Sequence, residues 1–114
     1  MKTLSEIYLS ENERKALLCV KSEIEKHIPK SEIILYGMQQ KKDIIDVIEF
    51  DILVLLEDDI CDEVKTSVRR SKITLEMKFD AVFSVMLAKR STWKKELVRS
   101  LPGHWNINDE GVII

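Results

Sequence analysis

The segment from Ile48 to Glu57 constrains this chain more than any other. In an extended strand successive side chains point to opposite faces. On that alternation Phe50, Ile52, Val54 and Leu56 share one face, and Leu53 and Leu55 share the other. A strand apolar on both faces sits in the middle of a sheet with cover on each side. The pattern breaks only at its start, where Glu49 and Asp51 stand side by side on the Leu53 face. There the core gives way to a cleft. Two carboxylates held so close suit the binding of a divalent cation.

The rest of the chain supplies the cover. Ser10 and Glu13 form a capping-box pattern ahead of Leu17, Val20, Ile24 and Ile28, an apolar stripe at helical spacing that Pro29 ends. Glu32 to Tyr36 reads as a short strand closed by Gly37, and residues 38–48 as a helical turn followed by a loop. A helix is predicted from about Ile60 to Glu76, with Val64, Val68 and Leu75 inward. Phe79 to Leu87 reads as a third strand with Asp80, Val82, Ser84 and Met86 on one face. Ser91-Thr92 caps a last helix to about Leu101, Pro102-Gly103 closes it, and a turn at 108–111 precedes an apolar end. The order is helix, strand, strand, helix, strand, helix: a small mixed α/β (α+β) sheet packed with helices.

With 114 residues, 45% of them hydrophobic, the chain suits one domain spanning 1–114. Eighteen basic and 20 acidic residues leave a net charge of -2, which gives no strong pull toward nucleic acid or an anionic membrane. No apolar run is long enough to span a bilayer, and the first 15 residues lack the apolar core of a signal peptide, so a cytoplasmic location is expected. Cys19 and Cys61 have no nearby His or Cys and form neither a zinc nor a redox motif. His27 suits the negative end of the first helix. His104 has no evident partner, and Trp93 and Trp105 read as packing for the last helix and tail.

Asp80 joins Glu49 and Asp51 if the strand over 79–87 lies beside that over 48–57 in matching register. Such an oxygen-rich cluster suits Mg²⁺, which keeps waters and is completed by substrate phosphates. Gly37, without a Cβ, lets a phosphate approach the backbone, and the N–H groups of a following helical turn would face it.

These residues resemble a minimal nucleotidyltransferase of the DNA polymerase β superfamily. That family carries Gly-Ser-x-Ala-Arg-Gly, a spacer, Asp-x-Asp on the next strand and a third Asp on a later one. Gly37 falls at the glycine, Glu49 and Asp51 at the paired acids, and Asp80 at the third; Asp109 to Ile113 is similar to the family's frequent ending. Met38 stands at the Ser, Gln40 at the small residue, Lys41 at the Arg, Lys42 at the second Gly and Glu49 at the first Asp. The resemblance implies that Glu49, Asp51 and Asp80 hold Mg²⁺, that Asp80 helps deprotonate the acceptor, and that Gly37, the Met38 backbone and Lys41 seat the phosphates of an NTP, ATP first among them. It implies transfer of a nucleoside monophosphate to an acceptor hydroxyl, with a helical HEPN-type partner protein or a homodimer completing the acceptor site. In some such pairs the transferase is the antitoxin. The alternative is a degenerate domain that binds a nucleotide or partner without turnover. A third reading, an unrelated α/β domain, expects Asp80 far from Asp51. Asp43 and Asp46 read as loop residues.

Overall fold

The computed structural model describes residues 2–40, 47–93 and 111–114. Lys41, Lys42, Asp43, Asp46, the predicted helical residues after Trp93, His104 and Trp105 lie outside them.

The capping box at Ser10 opens helix α1, Glu11–His27. The Glu13 N–H donates to Ser10 Oγ at 3.1 Å and the Ser10 N–H to Glu13 Oε1 at 2.8 Å, satisfying two groups that a bare helix end leaves unpaired. Ala16, Leu17, Val20 and Ile24 bury its apolar stripe. Strands β2 (Glu32–Gln40) and β3 (Ile48–Leu56) form an antiparallel hairpin. Helix α2 (Asp62–Phe79) then crosses to β4 (Ala81–Lys89), parallel to β3, and α3 (Arg90–Trp93) follows. Short strands β1 (Lys2–Thr3) and β5 (Val112–Ile113) add to β2, giving the order β1-β5-β2-β3-β4. The fold is a mixed five-stranded sheet packed with helices, an α+β arrangement.

β3 lies at the centre, as its two apolar faces require. Phe50, Ile52, Val54 and Leu56 join Leu17, Val20 and Ile24 of α1 and Val68 and Leu75 of α2 in the larger core. Leu53 and Leu55 pack with Ile34 on the opposite face, flanked by Tyr36, Ala88 and Trp93. Phe50 and its register partner Phe83 stack, ring centres 5.4 Å apart. Among the described residues no helix is long and apolar enough to cross a membrane.

Two sequence expectations change. β2 does not stop at Gly37 but runs to Gln40, so no helical turn follows the glycine within the described part of that segment. Hydrogen bonding to β3 keeps the chain extended, with a bulge between Leu35 and Gly37. Asp80 does not lie in a strand. α2 continues through Phe79, and Asp80 takes the left-handed conformation that ends it, φ 49° and ψ 48°. Apart from Gly, Asn and Asp are the residues that most readily adopt this conformation. Phe79 serves as the last helical residue against the core instead of the first strand residue. Glu76 Oε2 accepts from the Phe83 N–H at 2.9 Å, tying the helix end to β4.

Phe83→Ala removes the ring that joins β4 to β3 and α2. It should cost about 3–5 kcal/mol of stability, measured by urea unfolding.

Candidate functional site

Glu49 and Asp51 occupy alternate positions of β3, with Cα atoms about 6.6 Å apart at the usual strand rise. Both are partly exposed on the Leu53 face, at the end of the sheet where β2 finishes and β4 begins. Asp51 faces the neighbouring strand β2. Its cross-strand partner is Gly37. A Cβ built on Gly37 would lie 2.5 Å from Asp51 Oδ2 and 3.2 Å from its Cβ, so the carboxylate rests on the bare glycine backbone. No described glycine has positive φ. Gly37 is therefore required by this close approach, not by the turn that the sequence suggested.

The bulge has a second effect. Leu35 pairs with Ile52 on the helix-covered face and Gly37 with Asp51 on the other, which leaves Tyr36 as the extra residue. Tyr36 packs with Ile34, Leu53 and Leu55, on the face of the carboxylates. Burial first, then the negative charges of Asp51 and Glu49, push its phenol above the ordinary value. It therefore stays protonated, a hydrogen-bond donor, at neutral pH. On the far side of β3, Ser84 of β4 is the register partner of Asp51, and Val82 that of Glu49. Asp51 thus stands between two strands that each carry a hydroxyl beside it.

The other residues expected at the site are distributed differently. Met38 pairs with Phe50, which puts it at a register position of the helix-covered face, 42% exposed beyond the core. Asp80 lines a small cavity with Asn12, Glu13, Ile48, Phe50 and Phe79, on the helix side of the sheet. Glu49 and Asp51 are on the opposite side. The structure brings Gly37, Glu49 and Asp51 together and does not bring Asp80 to them. Lys41 lies outside the described residues. Among the described residues no group of three or more His, Cys, Asp or Glu side chains is arranged to hold a metal ion.

The donor set that remains is two carboxylates with flanking hydroxyls, all hard oxygens. In type and number it fits Mg²⁺, which is commonly held by one or two carboxylates and completed by water and substrate phosphate. Sequence reasoning missed Tyr36 and the place of Ser84. A glycine interrupting a strand pattern was the available signal for the bulge; for Ser84 the alternation gave the face but not its position along β4 relative to Asp51. No protein-family model, curated protein or solved structure matches the chain.

Gly37→Ala should destabilise the domain by about 1–3 kcal/mol, because the methyl must displace Asp51 or the strand. In an Asp51→Ala background the same change should cost clearly less, a coupling that a double-mutant unfolding cycle reads directly. Asp80→Gly should hold stability or raise it by up to about 1 kcal/mol, and Asp80→Val should lower it by about 1–2 kcal/mol, as the left-handed backbone demands.

Proposed function

We propose that this chain is a nucleotidyltransferase-like domain that binds a Mg²⁺–nucleoside triphosphate at the Glu49–Asp51 face. The carrying observation is the contact of Asp51 with Gly37. A carboxylate is held in place at the open end of a central strand, with a second carboxylate two residues away on the same face. That is preorganisation, which charge stabilisation of a phosphate chain needs. In this reading Glu49 and Asp51 hold the cation, whose chemistry is to neutralise the charge on the phosphates when bound. The acceptor hydroxyl would give up its proton to solvent as its oxygen bonds the α-phosphorus; the α–β bridging bond breaks, and pyrophosphate leaves with that electron pair. The residues of this chain contribute positioning and charge, the main terms in phosphoryl-type transfer. Lys41 would steady the β and γ phosphates. A helical HEPN-type partner protein, or a second copy of the chain, would supply the acceptor hydroxyl, an arrangement in keeping with an antitoxin role.

The position of Asp80 is what an unrelated α/β domain would give, and within the nucleotide reading it favours binding without turnover. A carboxylate on the helix side of the sheet does not help to deprotonate an acceptor at the Asp51 face. The two readings share the binding step and part at transfer.

Calorimetric titration with ATP, with and without Mg²⁺, tests the shared step. Mg²⁺-dependent binding that Asp51→Asn lowers by tenfold or more supports the site; absence of binding in folded protein refutes it. Label transfer from α-³²P-ATP to the chain or to a co-purified partner then separates the readings. Transfer lost in Asp51→Asn and kept in Asp80→Asn would make the domain an enzyme that does not use Asp80.

A further inference from the structure

Triphosphate binding beside two carboxylates presents an electrostatic problem. The cation offsets part of the repulsion, and phosphate oxygens that do not face the cation need hydrogen-bond donors. Carboxylates provide none when ionised. The described residues that flank Asp51 on its own face carry two donors. One is the Tyr36 phenol, which strand alternation from Ile34 places on the Leu53 side, at the bulge before Gly37. The other is the Ser84 hydroxyl, the register partner of Asp51 on β4. Both are partly exposed, so a ligand on the face can reach them. Position 38 is not available for this role: its side chain is one register step from Gly37 and belongs to the Phe50 face.

We infer that Tyr36 and Ser84 are the hydroxyl donors that hold the phosphate chain of the nucleotide on either side of Asp51. The inference rests on the nucleotide reading above. It takes the row Gly37–Asp51–Ser84, which crosses three strands, as the floor of a phosphate subsite with Tyr36 as its wall. The bare glycine keeps that floor low. The phenol ring is braced against Ile34, Leu53 and Leu55 and needs little further ordering to present its hydroxyl.

The test is calorimetry of the full chain with Mg-ATP and with Mg-tripolyphosphate, for the wild type, Tyr36→Phe, Ser84→Ala and Asp51→Asn. Tyr36→Phe keeps the ring and its packing, and thermal unfolding establishes that each variant is folded. Each hydroxyl deletion should weaken both ligands by at least about tenfold, the range for a hydrogen bond to a charged group. A loss for Mg-ATP alone would move the hydroxyls to the base or ribose and overturn the assignment. Wild-type affinity in both deletions, with Asp51→Asn impaired, would overturn it while leaving the nucleotide reading intact. Failure of the folded wild type to bind either ligand would overturn both.

Discussion

The contact between the Asp51 carboxylate and the bare backbone of Gly37 links the fold of this protein to any chemistry it performs. Asp51 lies two residues before Leu53, on the face that carries the smaller core. A carboxylate at that depth has to be accommodated by the neighbouring strand. Gly37 accommodates it by having no side chain, at a separation that a Cβ would close to 2.5 Å. The bulge that brings Gly37 opposite Asp51 also shifts the phase of β2 beyond it: Tyr36 keeps the face of Ile34, and Met38 turns to the other. One local irregularity therefore decides which side chains of β2 can reach the site.

The opposite end of the sheet is built for a different purpose. Arg90, at the close of β4, lies 3.2 Å from Glu32 at the start of β2 through Nη1. Its Nε lies 2.9 Å from Glu57 just past β3, without the alignment of a hydrogen bond. Lys89 reaches Asp59 at 2.7 Å. Such exposed and half-exposed pairs contribute little stability each. Their geometric effect is that one cation past the end of the edge strand β4 reaches both the end of β3 and the start of β2. Glu49 and Asp51 lie at the other end of the sheet, two residues apart on one face.

Much of this was legible in the sequence because it is local. The period of two in β3 placed Glu49 and Asp51 on one face and predicted a central strand, and the order of the principal elements followed from apolar spacing and caps. What was illegible is non-local or ambiguous in phase. The register of β4 against β3 depends on how α2 returns, and no residue of Phe79-Asp80-Ala81 distinguishes a helix end from a strand start. Phe79 fits the core in either role. Asp80 then reads as a ligand if the strand begins early and as a left-handed cap if the helix ends late; the structure has the second. Gly37 was ambiguous in a similar way, since a glycine serves a turn, a bulge or a close approach, and only the partner strand reveals which.

The two acids are not equivalent, and their difference follows from these contacts. Asp51 has a short side chain pressed against Gly37, with Ser84 beside it on the next strand. Glu49 lies nearer the open end, its β4 partner is Val82, and it has one more rotatable bond. A ligand meeting this face would find one carboxylate packed on the strand backbone and, two residues away, a longer one. In the proposed reading, Asp51 would set the position of the cation and Glu49 would complete its charge. In that reading a Glu at position 49, where the resembled family has Asp, would be compatible with binding. The groups that must be placed most accurately for transfer are those touching the reacting oxygen. Asp80, on the helix side of the sheet, is not among them, so any acceptor activation would have to come from the carboxylate face itself or from the protein that brings the acceptor.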